Sequence, residues 1–368
     1  MAKPEKMQPE ADNNREGAAA PSPRKPEKRR EGFGPGAYLL FTAILLSALV
    51  LCVCVGSVGI PVRDTVRVIA AAVFNKPIPE ISAKSIILSV RLPRVICVAL
   101  TGASLSVAGA AMQGLLKNPL ADGSTLGVSS GAALGAAMAI AFGISIPGLP
   151  FSGTMIMAML FAFLSLILIL SLAYKLDYSL STHTIILIGV IYSMFINSVL
   201  SLVITFSGEH IKNITYWTMG SLAGSSYKNA LVLLAAMVIC SGVILVHARE
   251  LNAFAIGEDN ARHIGVNVKR VKLVIMITVS ILIGVCVSIG GTIAFVGLVT
   301  PHMVRMITGP NHKRILPASL FGGATFLMLA DLAARILFNP RELPIGVVTS
   351  FVGALLFVNI FYQTRRAR

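Results

Sequence analysis

The chain is expected to be an all-α, polytopic membrane protein of about ten transmembrane helices per subunit, and three observations carry that expectation. Of its 368 residues, 55% are hydrophobic and 13% charged, whereas a soluble globular chain carries roughly 25% charged residues; its mean hydropathy is +0.80. Apolar stretches of about 18 residues or more, each long enough to cross a ~30 Å hydrocarbon core as a helix, recur from Tyr38 to Tyr362. Two of these stretches carry small residues at every fourth position, a spacing that lets helices approach closely in lipid. A soluble enzyme does not fit this composition.

Taken in order, the spans fall near 37–58, 94–115, 126–143, 152–174, 184–206, 229–247, 271–291, 315–337 and 345–363, with a shorter one near 293–308. The first is too long for a signal peptide and follows a polar stretch without a cleavage pattern, so it reads as a membrane helix. Residues 1–36 form a tail of mixed charge rich in Pro, Glu and Ala, a composition expected to stay disordered, and 364–368 form a short second tail. The net charge of +15 does not indicate nucleic acid. With ten spans and both termini cytoplasmic, Lys and Arg gather in the tails, in 249–271 and at Lys117, Lys175, Lys313 and Arg314, as the positive-inside rule requires of a cell-membrane protein. Cys52, Cys54, Cys97, Cys240 and Cys286 lie scattered in apolar helices and read as small hydrophobes, with no disulfide or metal spacing.

Gly102, Ser106, Ala110 and Gly114 recur along the second span, and Gly127, Gly131 and Gly135 along the third. Such stripes serve helix packing, either generally or around a translocation path; Gln113, Asn118 and Pro119 at the span's end strengthen the second reading. The hydrophilic segment 249–271 places Leu251, Phe254, Ala255, Ala261, Ile264 and Gly265 among charges. Two short helices with a turn near Gly257 are expected there, suited to docking in a partner's groove. Arg91, Arg94 and Arg335 stand at the predicted outer surface, where positive charge is disfavoured. Asp331, inside a span, needs a partner, and Arg335 four residues on supplies one.

In RLPR (91–94), GAAMQGLLKNPLAD (109–122), TLGVSSGA (125–132), LNAFAIGEDNARHIGV (251–266), IAFVGLVTPHMVR (293–305) and ELPIGVVT (342–349), the chain resembles the FecCD-type permeases. These are the membrane subunits of ATP-binding-cassette importers for ferric siderophores, haem and cobalamin. The resemblance spans about 38–363; Gly123, where the family often has Pro, and the long N-terminal tail depart from it.

The resemblance implies a homodimer, or a pair with a close paralogue, whose path runs along the two-fold axis in membrane lipid. It also implies an extracytoplasmic substrate-binding protein and two ATPase subunits that hold ATP and Mg. This chain has no G-x-x-x-x-G-K-[ST] phosphate loop, so it is expected to be no enzyme and to carry no cofactor or metal. By the same resemblance, Leu251, Gly257, Ala261 and Gly265 would couple to the ATPase. Ser181, Thr182 and His183 would narrow the path as an inner gate, His183 being bulkier than the family's usual residue. Arg91, Arg94 and Arg335 would pair with carboxylates of the binding protein, a role suited to the planar guanidinium fork; lipid-headgroup anchoring is the alternative. His302 reads as structural.

A secondary transporter would need several intramembrane acids, and Asp331 is nearly alone. A membrane enzyme would need polar groups clustered at one depth, and the six histidines are dispersed. The expected cargo is a ferric siderophore, the family's commonest, with cobalamin or haem as alternatives.

Overall fold

The structure is a computed structural model and describes residues 32–56, 58–74, 84–145 and 153–366. The expected disordered tail lies almost wholly outside the described residues. Regular structure among the described residues is entirely helical. In chain order it comprises α1 (Pro35–Cys54), α2 (Val62–Val73), α3 (Leu92–Leu116, entered through a π turn Ile86–Arg91), α4 (Val128–Ala141), α5 (Gly153–Leu176), α6 (Thr182–Phe206) and α7 (Ile211–Thr218). It continues with α8 (Tyr227–Val246), α9 (Ala248–Ile256), α10 (Glu258–His263), α11 (Val268–Gly290), α12 (Val296–Thr308), α13 (His312–Ile336) and α14 (Ile345–Arg366).

Among the described residues, seven helices are long and apolar enough to cross a membrane: α1, α3 with its π turn, α5, α6, α8, α11 and α13. Each of the other three expected spans coincides with a helix whose apolar part is shorter. α4 has 14 residues and α12 has 13, while the apolar part of α14 covers 345–359. The cause is local. Gly291 (φ 68°) ends α11, and Phe295, left-handed at φ 67°, precedes α12, so an apolar run from 271 to 308 is broken by non-helical backbone. Helix α14 runs on to Arg366, into the segment read as a tail.

Helix α3 is the hub, packing on α1, α8, α11, α12 and α13. Its small residues explain why. A Cβ on Gly102 would collide with the Gly323 carbonyl of α13, one on Gly109 with the Gly297 backbone of α12, and one on Gly114 with the His312 ring. Ser106 and Ala110 are fully buried on the same helix. The second stripe does the same for α4: Gly131 meets Ser165 and Phe161, and Gly135 meets Met157, all on α5, while Gly127 (φ 70°) caps the start of α4. Close backbone approach replaces the hydrophobic driving force that lipid-embedded helices lack.

The Gln113 role follows from a proline. Pro301, inside α12, has no N–H to give the carbonyl four residues back, which is Gly297. Gln113 Nε2 donates there at 3.4 Å and to Leu298 at 3.0 Å, satisfying carbonyls that lipid could not.

Candidate functional site: the two polar ends of the helix bundle

One end of the bundle is built around α1's last turn. A helix leaves its final carbonyls without intrahelical donors. Arg91 donates to the carbonyls of Val53 at 3.1 Å and Cys54 at 3.0 Å, and also to Val58. Arg335 donates to Cys52 at 3.0 Å and Val55 at 3.3 Å. Two guanidinium groups therefore close the helix end, with the sign that its dipole favours.

Beside them lies the carboxylate of Asp331, which is 1% exposed. Arg94 reaches Asp331 Oδ1 through Nε and Nη2 at 3.0 and 2.9 Å, and Arg335 Nε stands 3.0 Å from Asp331 Oδ2. Arg94 Nη1 also donates to the partly exposed Glu342 at 2.7 Å. Asp331 thus has its expected partner in Arg335 and a nearer one in Arg94.

Arg91, Arg94 and Arg335 were expected at the outer surface, ready for a binding protein's carboxylates. They are 5%, 6% and 3% exposed, and their donors are committed to this chain's own carbonyls and carboxylates.

The opposite end carries the expected helical pair, α9 and α10, which meet at Gly257 with φ 134° and ψ 146°, a conformation open to glycine. Leu251, Phe254 and Ala261 are fully buried within the chain. Leu251 and Ala261 therefore seat the pair instead of facing a partner, correcting the reading of Ala261 as room for close approach. What the pair presents outward is Ile256 and Ile264, 72% and 68% exposed, together with Gly265 (φ 91°). Asn252 on α9 locks the pair to α13: its Oδ1 accepts from the His312 N–H at 2.8 Å, and its Nδ2 donates to Asn311 Oδ1 at 2.9 Å.

At the same end, α5 turns into α6 through residues 177–181. Asp177 gathers this turn, accepting from the Ser179 hydroxyl at 2.6 Å and N–H at 2.8 Å, from the Ser181 N–H at 3.0 Å and from the Thr184 hydroxyl at 3.2 Å. Those bonds, the Ser179 hydroxyl foremost, hold its carboxyl below the usual carboxylate range. Ser181 caps α6, Thr182 donates to Glu258 Oε1 at 3.1 Å, and His183 is exposed. The three expected gate residues thus open α6 beside α10. Glu342, Glu258, Lys272 and Asn252 were not singled out from the sequence. Lys272 and Glu258 lay among charges read as topological or solvated, and besides each other they find the Leu180 carbonyl and the Thr182 hydroxyl, 92 and 76 residues away.

The five cysteines are free and buried. Among the described residues no cluster of His, Cys, Asp or Glu could hold a metal ion. Long apolar helices around a glycine-lined hub, with buried ions at one end and a bare amphipathic pair at the other, are the architecture of a polytopic membrane protein. The chain belongs to the FecCD transport family, which it matches over residues 44–363. It is 38% identical to the cobalamin import permease BtuC of Halobacterium salinarum, over 78% of this chain and 76% of that protein. It is 35% identical to the iron(3+)-hydroxamate import permease FhuB of Bacillus subtilis, over 88% and 83%. A solved structure of a transporter assigned to the metal-chelate ABC type, in an inward-facing conformation, matches with a TM-score of 0.78 at 30% identity, covering 90% of this chain and all of that one. The chain is an importer permease of this type.

Proposed function

We propose that the chain forms the translocation path for a ferric siderophore, delivered by an extracytoplasmic binding protein and driven by a separate ATPase. The observation that carries the reading is the α9–α10 pair: Ile256 and Ile264 stand bare on a seated helical platform, in a chain without a phosphate loop of its own. An amphipathic helix of this kind fits the groove of a partner, and the partner supplies ATP and Mg. In this reading α4, α12 and α14 complete ten spans, both termini are cytoplasmic, and two copies, or this chain and a close paralogue, enclose the path. Ser181, Thr182 and His183 narrow it at the α9–α10 end.

Cobalamin is the second reading, since relatives named for cobalamin and for iron(3+)-hydroxamate import match at 38% and 35% identity; haem is the third. The test is uptake of labelled ferric siderophore and of labelled cobalamin by a strain lacking the gene, with the gene restored in each case. Loss and recovery of iron uptake alone is the expected result. Loss and recovery of cobalamin uptake alone would replace the cargo and leave the class standing.

A further inference from the structure

The turn between α5 and α6 and the first residue of α10 share one buried cation. Lys272, near the start of α11, is fully buried. Its Nζ donates to the Leu180 carbonyl at 2.8 Å and stands 2.7 Å from Glu258 Oε1. That same carboxylate oxygen accepts from the Thr182 hydroxyl. Leu180 is a non-glycine residue with φ 53°, uncommon for a branched side chain. It is held there by complete burial and by its own N–H, which donates to the Asp177 carbonyl at 3.0 Å. The left-handed residue ends the turn beside Lys272, and Ser181 begins α6 at the next position.

The consequence is mechanical. Glu258 is the residue directly after the Gly257 joint, so displacement of α10 moves its carboxylate. If the carboxylate leaves, the buried Lys272 Nζ is left with the Leu180 carbonyl alone, and breaking a buried pair in this way costs far more than breaking an exposed one would. If the carboxylate stays, Thr182 and Leu180 move with it, and with them the Asp177-knotted turn that opens α6. α10 therefore cannot shift independently of residues 177–184.

We infer that Glu258 and Lys272 are positioning residues that join α10 to the α5–α6 turn, so that movement of α10 by the ATPase is carried to the mouth of α6. The inference rests on the proposed function for assigning the ATPase to α9–α10. A brace that merely stabilised the fold would lower stability and assembly together; a joint uncouples two events while both partners stay assembled.

The test uses the whole transporter in proteoliposomes with His183→Cys as a reporter, since His183 is exposed and the native cysteines are buried. The rate of maleimide labelling at position 183 is measured with and without ATP, alongside ATPase co-purification and ATP hydrolysis. With Lys272 and Glu258 native, ATP is expected to change the labelling rate. Lys272→Met is expected to shrink that change by about tenfold, within the range of coupling between sites, while ATPase content and hydrolysis stay as before. Thr182→Val keeps the ion pair, cuts only the hydroxyl link and is expected to shrink it by about fivefold, the worth of one hydrogen bond; it decides the matter if Lys272→Met does not fold. An undiminished ATP-dependent change in the variant that folds overturns the inference, as does a loss strictly proportional to lost ATPase. Failure of the reporter chain itself to bind an ATPase would sink the functional reading, and the inference with it.

Discussion

At the arginine end, Arg91, Arg94 and Arg335 join α1, α3 and α13, three of the long helices, through bonds to carbonyls 52 to 55 and to Asp331. At the opposite end, one ammonium joins a six-residue helix to a turn. Both are buried ions in a poor solvent for charge, yet the chemistry differs. A guanidinium offers five donors in a fixed fork and closes several orphan carbonyls at once, whereas an ammonium is a compact charge on a flexible stem. The first arrangement clamps long elements together, and the second sits where short elements meet and can exchange contacts. Rigidity at one end and a joint at the other is what a chain driven from one side would need.

The largest expected effect comes from breaking the clamp. Asp331→Leu leaves Arg94 and Arg335 buried without their shared carboxylate, and removing one partner of a buried pair costs about 3–5 kcal/mol. Thermal unfolding in detergent should show a much lower midpoint or no folded protein; a midpoint near that of the native chain would mean that the carbonyls and Glu342 hold the arginines without Asp331. Next is the hub. Gly109→Val drives a side chain into the Gly297 backbone, and overpacking of this kind costs about 1–3 kcal/mol, readable in the same melt. Gln113→Leu removes the donor that stands in for Pro301 at the Gly297 carbonyl and also reaches that of Leu298, expected at about 1 kcal/mol. The smallest is Glu342→Gln, because Glu342 is partly exposed and Asp331 remains to pair Arg94. Its melt should shift by less than about 1 kcal/mol, and a shift as large as that of Asp331→Leu would make Glu342 an equal member of the clamp.

What could be read from the sequence was whatever is local or periodic. The Gly102–Gly114 and Gly127–Gly135 stripes are fourfold repeats, and they lie where the helices touch. The α9–α10 break at Gly257 was legible because a glycine interrupts an amphipathic pattern. Of the clamp only the local Asp331–Arg335 pair was, since Arg94 finds Asp331 at a separation of 237 residues and Glu342 at 248, and Arg335 finds Cys52 at 283. A charge near a span end reads as surface until its distant partner is known. Helices α2 and α7 went unread because short amphipathic segments between long apolar ones carry little hydropathy signal of their own. α4 and α12 were read slightly too long because apolar residues in the adjoining turns merge into the same window, whereas α14 runs past its expected end to Arg366.

We propose that this permease moves its cargo on the strength of a partner's ATP hydrolysis. The most direct test reconstitutes the chain with its ATPase and binding protein in proteoliposomes and follows labelled ferric siderophore, with ATP present and with the ion gradients collapsed by ionophore. Uptake that continues after the gradients are gone and stops when ATP is replaced by a non-hydrolysable analogue is the predicted result. Uptake that stops with the gradients while ATP is still being hydrolysed would contradict the account and make the chain an ion-coupled transporter.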